Sequence, residues 1–141
     1  KLIDDLRGKL EQKSFENAKL YLDIGDYKSA VIAFRNSLRD YPDTKYAEEM
    51  EYLSLEAQYL YARNSLETKQ EERYTELLTM YTEFTDKFPN SKYTKDAKNL
   101  QEQAQRGIAT VKEVLAAQSP APGKQNKETE DKQDTKISQN E

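Results

Sequence analysis

The sequence of 141 residues contains no cysteine, no histidine and no tryptophan. Without thiol or imidazole there is no thiolate nucleophile, no imidazole base and no ordinary zinc site. The lack of cysteine says little about redox compartment. Glycine is scarce, and Gly8, Gly25, Gly107 and Gly123 lie too far apart to form a phosphate-cradling loop. No apolar run is long enough to span a bilayer. Strand patterning is almost absent. The net charge is −4, of which residues 118–141 contribute −1 and residues 1–117 contribute −3. Neither part has the basic excess that phosphate neutralisation requires, so nucleic acid is not an expected partner.

Carboxylates are plentiful, but nearly every Asp and Glu falls on a helix face or at a helix start. There solvation or capping is the default role, so no catalytic pair, metal or cofactor is expected and the chain reads as non-enzymatic. All ten Tyr and all four Phe lie between Phe15 and Tyr93, and beyond Ser119 the one sizeable aliphatic residue is Ile137. That contrast predicts a single folded domain over 1–117 and a disordered polar tail over 118–141, solvated or folding on a partner. The sequence opens at Lys1 within a helical pattern, without Met or signal segment, and reads as a piece of a longer protein whose targeting signal is elsewhere.

Apolar residues recur at spacings of three and four, the helical period, and five helices are predicted. The first covers about 1–23, with one line through Leu6, Leu10, Asn17 and Tyr21 and another through Phe15, Ala18 and Leu22. Gly25 suits a positive φ and Asp26 a helix cap. The second runs about 27–41, with Tyr27, Ala30, Val31, Phe34, Leu38 and Tyr41 on one face, and Pro42 stops it. The third runs about 44–66 and has two apolar stripes. Met50, Leu53, Ala57 and Leu60 form one; Tyr52, Leu55, Tyr59, Ala62 and Leu66 form the other. Such a helix packs on two sides and belongs at the centre. Thr68 to Glu71 fits a capping box. The fourth helix follows to about Phe88 with Tyr74, Leu77, Leu78, Tyr81 and Phe84 inward, and Pro89 closes it. Ser91 is placed to cap the fifth, whose stripe is Ala97, Leu100, Ala104, Ile108, Val111 and Leu115. Pro120, Pro122 and Gly123 end the ordered region.

Internal similarity is the most informative feature. Tyr41-Pro42-Asp43-Thr44-Lys45-Tyr46 returns as Phe88-Pro89-Asn90-Ser91-Lys92-Tyr93, a period of 47 residues. Upstream, Tyr27 matches Tyr74, Val31 matches Leu78 and Phe34 matches Tyr81. In the first copy Ala18, Tyr21, Gly25, Tyr27, Ala30, Phe34 and Pro42 resemble the roughly 34-residue tetratricopeptide motif. Small residues let paired helices approach and aromatics fill the space between pairs. The second copy departs: Leu77 stands for a small residue, and its first helix and turn are longer. The expected fold is all-α, a tetratricopeptide-like solenoid of about five antiparallel helices, whose uncovered surface is free for protein binding.

A more specific resemblance lies in the ordered series Ala18 to Tyr21, Gly25-Asp26-Tyr27, Ala30-Val31 and Leu38 to Thr44. It is similar to the BamD family of outer-membrane assembly lipoproteins. Leu6 to Glu11, Ala62 to Ser65 and Lys69 to Tyr74 resemble the Bacteroidota-type members, and the resemblance covers about 1–116. It implies the C-terminal tetratricopeptide half of a periplasmic lipoprotein at the outer membrane, working in the β-barrel assembly machinery. The implied partners are the POTRA region of the central barrel protein, BamA, other subunits of the machinery and unfolded outer-membrane protein substrate. Membrane attachment would run through an N-terminal lipid on a Cys outside this sequence. Another periplasmic tetratricopeptide adaptor, such as a cell-division or peptidoglycan-linked coordinator, is the alternative.

Two groups are candidates for partner contact. The first is Arg39, Asp40, Tyr41 and Asp43 at the second helix's end, where an outward Arg39 can make a two-pronged bond to a partner carboxylate or pair within its own chain. The second is Asn64, Ser65 and Arg73 around the turn between helices three and four. These either meet a partner or, as the favoured reading, hold the turn by bonding helix ends. Glu48, Glu49 and Glu51 complement the dipole at the third helix's start.

Overall fold

The computed structural model describes residues 1–119. Those residues form five α-helices and no strand: α1 (Leu2–Asp23), α2 (Tyr27–Asp40), α3 (Ala47–Arg63), α4 (Glu67–Lys87) and α5 (Thr94–Gln118). Each helix packs on its chain neighbours, and α3 also touches α5. The result is a tetratricopeptide-like stack of antiparallel helices with α3 at its centre, where its two stripes required it to be. Helix α5 continues to Gln118, one residue past the expected domain limit. The rest of the expected tail, with Pro120, Pro122 and Gly123, lies outside the described residues.

The first helix end follows from two residues. Gly25 adopts φ +82°. The Gly25 amide donates to the Leu22 carbonyl at 3.1 Å and the Asp26 amide to the Tyr21 carbonyl at 3.0 Å, the paired bonds of a glycine-closed helix. The Asp26 carboxylate then accepts from the Ser29 amide at 3.2 Å and starts α2.

The repeated proline turns are nearly superposable. Tyr41 and Phe88, each preceding Pro, have φ −132°, ψ 68° and φ −129°, ψ 68°. The proline ring drives its predecessor out of the helical region, which ends both helices. Thr44 and Ser91 amides donate to the Tyr41 and Phe88 carbonyls, each at 3.2 Å, and the Met50 and Ala97 amides to the Tyr46 and Tyr93 carbonyls, each at 2.8 Å.

Several expectations about ends and faces need correction. Ser91 is not the cap of α5; the cap position is Tyr93. Ser91 instead accepts the Tyr93 amide at 3.0 Å and donates to Glu48, so it ties the turn to α3. Likewise Thr44 to Tyr46 form a turn ahead of α3, which starts at Ala47 and stops at Arg63. Thr68 does not cap α4, which begins at Glu67 after Leu66. Gln70 reaches back to the Arg63 and Ser65 carbonyls at 3.2 and 3.0 Å and satisfies the preceding helix end. Leu66 belongs to that connection and is 78% exposed. Leu6, Leu10 and Asn17 are exposed as well, because α1 packs mainly on its other line, through Phe15 and Ala18, and of the first line Tyr21 alone meets the core. In α4, Leu78 and Tyr81 are half-buried while Met80 is buried.

The main core joins α1 to α5 around Phe34, Met50, Leu55 and Phe84. A second cluster of Ala62, Tyr74, Leu77 and Ala104 lies between α3, α4 and α5. There Gly107 has a role that composition hides. A methyl group on it would stand 2.6 Å from the Tyr74 ring. The missing side chain is what lets α5 lie against a buried tyrosine. Burial raises the pKa of the Tyr74 hydroxyl, with Tyr59 adding to it and Arg63 opposing it. Burial likewise raises that of Tyr52, reinforced by Glu56, Asp96 and Tyr93.

Two outcomes are expected. Gly107→Ala should lose about 1–3 kcal/mol through overpacking, although alanine favours a helix by nearly 1 kcal/mol. In a Tyr74→Leu background the same change should cost much less, a non-additivity that urea denaturation of the four proteins would measure. Second, both tyrosines hold their protons more tightly when folded. Stability should therefore be intact below about pH 10 and fall as pH rises from there toward the raised values. Tyr52→Phe and Tyr74→Phe should each blunt that alkaline loss in melts across pH 8 to 12.

Candidate functional site

The two groups of candidate residues fall at opposite ends of α3. That helix has 17 residues, so roughly 25 Å separates them. They are two surfaces and cannot form one site.

At one end, the turn between α2 and α3 is held rigidly by the core. Phe15 of α1 stacks on Tyr46 with centroids 4.6 Å apart. Glu11 accepts from the Thr44 hydroxyl at 3.2 Å. Arg7 reaches over to Asp43 at 3.1 Å while also pairing with Glu11 at 3.2 Å. Asp43 thus fastens the turn to α1, and Tyr41, half-buried, occupies the C-terminal cap of α2. Arg39 is different. Its side chain is 72% exposed, and among the described residues its one ionic neighbour is Asp40, at 3.5 Å. That separation is too long for a good hydrogen bond, so the guanidinium stands at the end of a fixed helix with its fork of donors facing solvent.

At the other end, Asn64, Ser65 and Arg73 are occupied. The Asn64 side-chain amide donates to the Leu60 carbonyl at 2.7 Å. The Ser65 hydroxyl donates to the Tyr61 carbonyl and accepts from Arg73. The Arg73 guanidinium also lies over the Tyr61 ring, 4.3 Å from its centre. Buried Gln58 donates to the Arg73 carbonyl at 2.8 Å and joins α3 to α4. All three candidates therefore hold the connection together.

These residues nevertheless border an open furrow between α2 and α4. One stretch, of about 390 Å³, is lined by Val31, Ile32 and Arg35 on α2, Gln58 and Tyr61 on α3, and Lys69 and Glu76 on α4, among others. A second stretch, of about 400 Å³, runs on past Gly25 and Asp26 to Asn64, Ser65 and Leu66, and shares Lys28, Tyr61 and Arg73 with the first. The sequence reading passed over Lys28, Ile32, Tyr61 and Lys69. Ile32 carried a signal: it is apolar yet off the α2 stripe, and it is 50% exposed. Among the described residues no helix is long and apolar enough to cross a membrane, and no group of three or more carboxylates could hold a metal ion.

The different states of the two arginines set an expectation. Arg39→Ala should change stability by less than about 0.5 kcal/mol, as for an exposed side chain. Arg73→Ala should cost about 1–2 kcal/mol, through its hydrogen bond and its ring contact. Equal costs in urea melts would contradict the assignment.

A family model described as YfiO, outer membrane lipoprotein, matches residues 8–119. No curated protein matches the chain.

Proposed function

Because this chain belongs to the YfiO family of outer-membrane lipoproteins, we propose that it is a non-enzymatic scaffold piece of the β-barrel assembly machinery. On this reading it is the C-terminal tetratricopeptide half of a BamD of the Bacteroidota type. It works at the periplasmic face of the outer membrane, with attachment supplied by an N-terminal lipid. Its partner is the POTRA region of BamA, together with other subunits of the machinery, and it supports insertion of outer-membrane proteins. The match spans α1 to α5, so the reading concerns the stack as a whole.

The observation that carries the docking site is Arg39. A partner surface needs a group that is exposed, fixed in position and not already satisfied. Arg39 is 72% exposed with its neighbour Asp40 at 3.5 Å. The turn beside it is fixed by the Phe15–Tyr46 stack and by Arg7 on Asp43. A planar guanidinium so placed suits a carboxylate on a partner domain, bound by two parallel hydrogen bonds. Asp40 and Tyr41 would lie at the edge of that contact, and Asp43 would shape it from beneath. No hydrolytic or transfer chemistry enters this account, since binding is all that the arrangement requires.

Arg39→Glu should leave the fold unchanged and weaken association with the BamA POTRA domains about tenfold or more, because a like charge then faces the partner's carboxylate. Titration calorimetry with the isolated POTRA segment measures this directly. Unchanged affinity would remove Arg39 from the interface. Failure of the POTRA segment to bind at all, with recovery of wall-synthesis proteins instead, would replace the machinery assignment by that of another envelope adaptor.

A further inference from the structure

The furrow between α2 and α4 lies at the far end of α3 from Arg39 and has its own chemistry. Residues 1–119 carry a net charge of −3. Within the furrow the balance reverses: Lys28, Arg35, Lys69 and Arg73 face three carboxylates, Asp26, Glu72 and Glu76. Glu76 is already paired with Arg35 at 2.6 Å. Among the described residues Lys28 and Lys69 have no carboxylate within ion-pair distance, and they stand on opposite banks. Between them the floor is apolar, built from Val31, half-exposed Ile32 and the ring of Tyr61.

The Arg35–Glu76 pair joins α2 to α4 across the furrow and bounds its open stretch at the lining residues furthest along each helix. An extended chain turns successive side chains to opposite sides, so an apolar residue can meet the floor while its neighbours reach the banks. We propose that this furrow docks an extended acidic peptide segment, with a large apolar side chain on Ile32 and Tyr61 and flanking carboxylates on Lys28 and Lys69. The apolar contact supplies most of the affinity, and the two lysines select the sign of the ligand's charge. Arg73 is held ready by Tyr61 and Ser65, so its ordering cost is met before the ligand arrives.

The test uses the 141-residue chain and three dye-labelled decapeptides read by fluorescence anisotropy. One alternates Asp or Glu with Phe and Leu. The second keeps the apolar residues and replaces the acids by Lys. The third keeps the acids and replaces the apolar residues by Ser. The first should bind at least tenfold more tightly than either other, and the doubly substituted Lys28→Glu, Lys69→Glu protein should lose at least tenfold of that affinity. Ile32→Ser should weaken it severalfold, with the same circular dichroism and melting temperature as the parent. Arg39→Glu should leave it unchanged, which separates this furrow from the POTRA contact. Equal binding of the first two peptides, binding of the Ser peptide as tight as the first, or no binding at all would each overturn the proposal. So would retention of affinity in the double lysine variant.

Discussion

Each proline turn in this stack is clasped by the preceding odd-numbered helix, and the remaining geometry follows from that clasp. In both copies it has two parts, an aromatic ring stacked on the turn's tyrosine and a glutamate bonded to the turn's hydroxyl. Phe15 lies on Tyr46 and Glu11 on Thr44; Tyr52 lies on Tyr93 and Glu48 on Ser91. Both ring pairs have centroids 4.6 Å apart. A ring stack alone would allow sliding, and a single charged hydrogen bond would allow rotation. Together they fix the angle at which the next helix leaves, which a stack of helices needs if its cores are to align. At the equivalent places α5 presents Lys95 and Asn99, both exposed, and so it cannot seat a further turn by the same two contacts.

How much of this was legible in the sequence depended on the reach of the interaction. Local rules succeeded. Gly25 and Asp26, Pro42 and Pro89, the two-sided α3 and the 47-residue period all describe bonds within a few residues or a regular face. The errors came where a residue's partner lies outside its own helix. Ser91 looks like a helix cap in isolation, yet its hydroxyl bonds Glu48, 43 positions away. Thr68 to Glu71 satisfies the pattern of a capping box, but Gln70 serves the end of α3 instead of the start of α4. Leu6 and Leu10 keep helical spacing, though α1 uses its other face to meet α2. Gly107 gave no sign, because a close approach to Tyr74 requires knowing that α5 crosses α4 at that turn.

The candidate surfaces divide in the same way. The outward direction of Arg39 followed from its neighbour Leu38 lying on the apolar stripe, and its exposure agrees. The double meaning of Asn64, Ser65 and Arg73 could not be resolved from composition, since both readings call for polar groups near a turn. Their hydrogen bonds resolve the local part: each is tied to a backbone carbonyl, to another of the three, or to Tyr61. An organised turn and a binding surface are not exclusive, however. A guanidinium immobilised over a ring has little freedom left to lose on meeting a ligand, so the structural role of Arg73 is compatible with the contact proposed for it.

The furrow itself arises from the inequality of the two repeats. Under the 47-residue period Tyr27, the first residue of α2, corresponds to Tyr74 within α4. Helix α4 starts at Glu67, so its first seven residues have no counterpart in α2. Lys69, Glu72 and Arg73 all belong to that added stretch, as does the bond from Arg73 to Ser65 that steadies it. The α1–α2 turn closes early at Gly25, and the longer α3–α4 hairpin carries on beside it, so that Tyr61, with Arg73 over its ring, lines the furrow. Lengthening one hairpin opened a basic-rimmed surface at the tip without disturbing the clasps at the opposite end.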